Sequence, residues 1–205
     1  MTFVDDIHGM AKCGINAVEL NSFITTNIEM KKLRFNVGGV NQKSKCMKMH
    51  VGTKKEQCCE MKVEETSMET VEEIEFLGDI LSSDGKNTKN IKSRVSRGLG
   101  IISQIFIILE NTAFGSHYFE IALLLRESLL LSSVLFSSEV WYGITEKDLY
   151  DLEALDVIFF SRLFNVPKTT PIESFFLETG SLRMRDLIKE RRVKYLYSLA
   201  NQEEE

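Results

Sequence analysis

Apolar residues at Ala17, Leu20, Ile24 and Ile28 recur every three or four positions, a spacing that predicts a helix over residues 16–33. Gly38-Gly39 interrupts the chain, and "KSKCMKMHV" then alternates basic and apolar residues through Met49, as a half-buried strand does. Residues 54–60 read as a loop. Two β-compatible runs follow, "EMKVEE" and "EEIEFLGDILSS", separated by a polar stretch at residues 66–70; Ser83-Asp84-Gly85 closes the second as a turn. From Asn87 the period changes. Ile91, Val95, Leu99, Ile102, Phe106 and Leu109 march along a helix that Gly98 and Gly100 weaken. A second helix is predicted over residues 118–142. A third runs through "EKDLYDLEALDVIFFSRLF", with its stripe at Leu149, Leu152, Leu155, Phe159 and Leu163. Pro167 and Pro171 punctuate the chain before a final basic helix around "MRDLIKERRVKYLYSL". The front third mixes strand and helix and the rest is helical, so the fold class is α+β, with a boundary between residues 1–85 and 86–205.

A chain of 205 residues is long enough to bury a real core. Its formal charge of −5, from 30 acidic and 25 basic residues, gives the whole molecule no pull toward nucleic acid. Any such binding must come from local patches. Lys31, Lys32, Arg34, Lys43, Lys45 and Lys48 form one basic cluster, and Lys86, Lys89, Lys92, Arg94 and Arg97 a second, with an acidic stretch over residues 56–79 between them. A solvated helix face is the usual reading of such runs.

Cys13, Cys46, Cys58 and Cys59 lack the spacing of a disulfide framework, and a vicinal Cys-Cys pair bridges with strain. A reducing, intracellular compartment follows, with no nuclear-import run to assign it further. Cys46, His50, Cys58 and Cys59 lack the closely paired ligands of a structural zinc site, and His8 and His117 stand alone. The start has no basic region followed by an apolar stretch, so it does not read as a secretory signal. The run "YFEIALLLRESLLLSSVLFSSEVWY" is interrupted by Arg126 and Glu127, short of the roughly 20 apolar residues a span requires, and reads as a buried helix.

The chemistry starts at "FVDD". Asp5 and Asp6 sit between Phe3-Val4 and Ile7, where a polar surface pair would ordinarily be embedded in polar sequence. Strand side chains alternate faces, so a tight turn at the pair brings both carboxylates toward one region. Magnesium takes hard oxygen ligands of this kind together with phosphate oxygens. Aspartates at a turn or helix N-cap are the plain alternative.

The wider order of motifs bears on that choice. Phe3-Val4-Asp5-Asp6 precedes a helix with "KLRFN" at its end; Asn36 and Lys43-Ser44-Lys45 come next, then Phe76-Leu77-Gly78, Ser82-Ser83-Asp84-Gly85 and a basic amphipathic helix. This succession resembles the C-terminal half of the reverse transcriptases of non-LTR (LINE-type) retrotransposons, and "EVWYGIT" and "FFSRLFNVPKTTP" resemble the region after their polymerase core. Two or three extra residues around Gly38-Gly39 depart from the family spacing. The resemblance implies an incomplete palm of a few antiparallel strands and one helix at residues 1–85, followed by an all-helical thumb-like region at 86–205.

It further implies that Asp5 and Asp6 are the metal carboxylates for two magnesium ions, Asp5 being the direct ligand. Lys43 would lie near the incoming triphosphate, where a cation stabilises or protonates the leaving pyrophosphate. Phe76, Leu77 and Gly78 would form the primer-grip hairpin, and Lys86, Lys89, Lys92, Arg94 and Arg97 would face the backbone of an RNA template and DNA primer. Without the family, Lys43 reads as an exposed strand lysine, Phe76 and Leu77 as core, and the five basic residues as a solvated face. No membrane partner is implied. The family's further aspartate and its nucleotide pocket precede the Asp-Asp turn and are not in these residues, so the expectation is that the 205 residues alone do not polymerise DNA. A non-enzymatic module that binds nucleic acid or protein is the other reading.

Overall fold

A computed structural model of the chain describes residues 45–47, 62–63, 66–76, 78–141 and 143–202. The helix expected over residues 16–33 and the loop expected over 54–60 lie outside them. The architecture is α+β, with helices predominating and strands confined to two-stranded sheets. The chain divides into two compact units, Met1–Phe76 with Leu81–Gly85, and Leu77–Ile80 with Lys86–Glu205.

In the first unit, β1 (Lys45–Met47) pairs with β4 (Glu69–Val71), Lys45 opposite Glu69 and Met47 opposite Val71. The pairing is parallel, which corrects the expectation of antiparallel strands only. Parallel neighbours need a long crossover, and residues 48–68 supply the length. β2 (Lys62–Val63) and β3 (Thr66–Ser67) form a short antiparallel pair. The polar stretch at 66–70 therefore carries strand rather than separating strands; Thr66, Thr70 and Val71 are β-branched, and that shape suits a pleated edge. The run "EEIEFLGDILSS" splits into β5 (Glu73–Phe76) and β6 (Asp79–Ser82), neighbours in the third sheet. Gly78, at φ +83°, takes the left-handed turn between them that a side chain would resist. Past β6 the Gly85 N–H donates to the Ser82 carbonyl at 2.9 Å and closes the expected turn.

The second unit holds every buried apolar side chain among the described residues. Helix α1 (Thr88–Asn111) buries Ile91, Ile102, Ile105, Phe106 and Leu109. Its buried face also passes through Arg94 and Gly98, which leaves Leu99, expected in the stripe, 42 % exposed. Helix α2 (Tyr118–Leu125) continues through a π-helical stretch (Arg126–Leu131) and a closing turn (Ser132–Val134). The helix stops well short of residue 142. Ser137 takes a left-handed conformation at φ 58° and a 3-10 turn (Ser138–Val140) delivers Trp141 to the core. Paired serines, whose hydroxyls compete for backbone groups, are poor helix formers.

Thr145 caps α3 (Glu146–Phe164) with a full capping box to Asp148, and left-handed Asn165 ends it. Helix α4 (Ile172–Thr179), not anticipated from the sequence, starts directly after Pro171 and ends at Gly180, φ 65°. Proline belongs at helix starts as well as at breaks, so a residue that reads as punctuation here opens an element. Phe175 of α4 stacks on Phe160 and Phe164 of α3, with centroids 5.6 and 6.0 Å apart. The final helix, α5, spans Met184–Gln202. No helix among the described residues is long and apolar enough to cross a membrane.

Candidate nucleic-acid interface

The hairpin turn at Gly78 and the start of α1 are joined by a buried polar cluster. Asn90 and Arg94, one turn apart on α1, both reach back to Asp79. The Arg94 Nη2 donates to Asp79 Oδ1 at 2.5 Å and Asn90 Nδ2 to the same oxygen at 2.8 Å, while the Ile80 N–H donates to Asn90 Oδ1 at 3.3 Å. Arg94 Nη1 donates to the Ser133 carbonyl at 2.9 Å, and the guanidinium lies 5.2 Å from the Trp141 ring centroid. Burial pushes the Asp79 carboxyl up, but the hydrogen bonds from Arg94 and Asn90 and the Arg94 charge outweigh it and hold the pKa below the usual carboxylate range. The arrangement ties residues 78–80 to the helical unit, because a guanidinium taken out of water must keep its anion.

This placement corrects one expectation. Arg94, expected to face template-primer backbone beside the lysines, has a side chain only 1 % exposed. The helical period explains why: Ile91, Arg94, Gly98 and Ile102 follow one another at steps of three and four along the buried face. Lys86, Lys89, Lys92 and Arg97 are exposed. On α1, Lys89, Lys92 and Arg97 lie on the side away from the core, within about two fifths of the helix circumference by the helical repeat. Lys92 also edges an open groove of about 290 Å³ between α1 and α3, floored by Val95, Leu99, Ala154 and Ile158 and bordered by Asp151. A cationic helix face of this kind can hold phosphates without reading bases.

Phe76 is half-buried at the end of β5, and Gly78 occupies the hairpin turn. Asp5, Asp6, Lys43 and Leu77 lie outside the described residues, as do Cys13, His50, Cys58 and Cys59. Among the described residues no group of three or more His, Cys, Asp or Glu side chains gathers where it could hold a metal ion. Cys46 is half-buried and pairs with Thr70 Oγ1 at 3.4 Å, and His117 is exposed beside Glu120 at 3.0 Å.

A second buried ion pair is not apparent from the sequence. Arg126, where the π-helical stretch begins, gives Nε and Nη2 to Asp156 Oδ1 at 3.1 and 2.6 Å, donates to the Leu182 carbonyl and lies over Phe160. Burial pushes the Asp156 carboxyl up against the pull of Arg126. In the sequence Arg126 interrupts an apolar run, yet Arg126, Leu130 and Val134 share one face by spacing, and all three are buried.

No family model, no curated protein and no solved structure gives a significant match to this chain.

Proposed function

We propose that the chain is part of an RNA-directed DNA polymerase of the non-LTR retrotransposon type, contributing the end of the palm and the thumb with its following helices. The observation that carries the reading is the order Phe3-Val4-Asp5-Asp6, Asn36, Lys43-Ser44-Lys45, Phe76-Leu77-Gly78 and Ser82-Ser83-Asp84-Gly85. A hairpin whose glycine turn is bound to a helix with outward lysines supports it. A cationic face that holds a duplex backbone needs a rigid support of this kind. The hard carboxylate oxygens of Asp5 and Asp6 suit magnesium, which in a polymerase supplies charge neutralisation for phosphoryl transfer.

By themselves these 205 residues are inactive in this proposal, because two carboxylates do not fix both ions and a nucleotide. The function left to them is holding RNA–DNA template-primer. Fluorescence anisotropy with a labelled heteroduplex tests this: Lys89→Ala/Lys92→Ala/Arg97→Ala weakens binding and makes the slope of log K against log salt shallower by about 0.9 for each phosphate no longer neutralised. Binding that ignores all three substitutions sinks the thumb assignment. Primer extension on a homopolymer RNA template with magnesium is expected to yield no product; extension abolished by Asp5→Ala/Asp6→Ala would overturn the claim of inactivity. Heteroduplex binding unaffected by Asp5→Ala/Asp6→Ala is expected of this polymerase remnant and of a non-enzymatic binding module alike, the latter being the reading left if no assembly with upstream polymerase residues restores extension.

A further inference from the structure

The middle of α5 carries two arginines that no acid answers. Arg191 donates to the Leu135 carbonyl and Arg192 to the Trp141 carbonyl, so the two guanidiniums are fixed at either end of residues 136–140. Both arginines are half-buried. Lys189 and Lys194 on the same helix are paired with Asp186 and Glu190, whereas no carboxylate pairs with Arg191 or Arg192 among the described residues. A guanidinium carries five donors in a planar fork that matches phosphate, and a single carbonyl leaves most of them open.

Aromatic rings flank these cations. Phe136, next after the Leu135 carbonyl, is 53 % exposed, and the Arg94 guanidinium lies 5.8 Å from its ring centroid. Arg94 is buried, so it holds the ring from the core side and leaves the remainder to solvent. Tyr195 follows Arg191 and Arg192 at steps of four and three on the same face of α5 and is 38 % exposed. We propose that this surface binds single-stranded nucleic acid, with Arg191 and Arg192 holding backbone phosphates and Phe136 and Tyr195 stacking on unpaired bases. Guanidiniums alone would suit any phosphate; rings beside them call for a ligand with flat faces between its phosphates, which a strand supplies and a phosphorylated peptide does not. Stacking and phosphate contacts read neither base nor sugar, so RNA and DNA strands are expected to bind alike. The site shares no residue with the lysine face of α1 and does not rest on the polymerase reading. Glu139, half-buried between the two arginine contacts, repels the strand, and the chain's net charge of −5 keeps binding weak and salt-sensitive.

Fluorescence anisotropy at low salt with labelled oligo-dT and oligo-rU of about 12 nucleotides tests this. The full chain is measured beside its Lys89→Ala/Lys92→Ala/Arg97→Ala variant, in which the α1 face no longer contributes, and both are expected to bind both strands. In either background Phe136→Ala is expected to weaken binding about fivefold or more, the low end of what one stacked base contributes, and Phe136→Trp to retain it. Arg191→Gln/Arg192→Gln, which keeps an N–H for each carbonyl, is expected to make the slope of log K against log salt shallower by about 0.7 for each phosphate no longer neutralised. Glu139→Gln is expected to tighten binding. Unchanged thermal unfolding shows that each variant is folded; if the arginine variant is not, Phe136→Ala and Glu139→Gln decide by themselves. Absence of single-strand binding in the α1 variant overturns the proposal and leaves the reading of the α1 face standing. Binding indifferent to Phe136→Ala also overturns it, leaving a plain anion patch that phosphorylated peptides would fill equally well.

Discussion

One residue that constrains the helical unit is Arg94. Its charge is buried, and the carboxylate that answers it is Asp79, at 2.5 Å. Removing the carboxylate strands the guanidinium, so Asp79→Ala is expected to cost about 3 kcal/mol or more in urea unfolding, while Asp79→Ala/Arg94→Met, which removes both charges, recovers much of that loss. The pH dependence has a definite sign. The folded pKa of Asp79 lies below its unfolded value, so the stabilisation is complete above the unfolded value of about 3.9 and disappears as pH falls through the folded value. The urea midpoints of wild type and Asp79→Ala should therefore differ at pH 7 and converge below about pH 4. A gap that stays constant into acid would show that the carboxylate charge is not what Arg94 requires. The burial of Arg94 was legible in the sequence, because it occupies an apolar phase of α1, but an arginine among lysines invites grouping by charge rather than by phase.

At the scale of elements, two glycines in α1 separate helix propensity from packing. Gly98 lies where α1 meets its neighbours, and a Cβ there would sit 2.7 Å from Leu155 Cδ1 and 3.0 Å from Val134 Cγ2. Leu155 and Val134 are both fully buried, so neither side chain has room to withdraw. Gly98→Ala is expected to destabilise by about 1–2 kcal/mol, the overpacking outweighing the gain in helix propensity. Gly100 has nothing within 4 Å of the same hypothetical atom. Gly100→Ala should stabilise by about 0.5–1 kcal/mol, because only backbone entropy changes. Thermal unfolding of the two variants checks the opposite signs; two stabilising alanines would mean that α1 and α3 are not in close contact at Gly98. The sequence presents both glycines alike, as weaknesses in a stripe, since nothing local marks which one a distant leucine will touch. The stripe of α3 was legible for the converse reason: Leu152, Leu155, Phe159 and Leu163 are all buried where their spacing placed them. The end of α2 was not, because the burial of Trp141 and the left-handed turn at Ser137 depend on partners far along the chain, among them Arg94 and Arg192.

For the whole molecule, the boundary read at residue 85 from the change in periodicity differs from the structural units by a few residues, and the reason is chemical. Leu77–Ile80 belongs with the helices, and within that segment Asp79 answers the charge of Arg94, fifteen residues on in the chain. A pairing across that distance leaves no periodic trace. It does set where the chain can be cut. The described buried apolar residues all fall between Ile91 and Ile188, so the helical unit carries its own core, which is what lets a domain fold alone. A polypeptide beginning at residue 77 keeps Asp79 with Arg94, whereas one beginning at residue 86 leaves that arginine buried without its anion. The longer piece is expected to show a helical spectrum and a single cooperative urea transition, with Asp79→Ala costing about as much as in the full chain. The shorter piece should be less stable by a comparable amount, about 3 kcal/mol or more. Equal stability of the two pieces would mean that the hairpin turn is held by the helices without supporting them, and the Asp79 to Arg94 pair would then have no structural role.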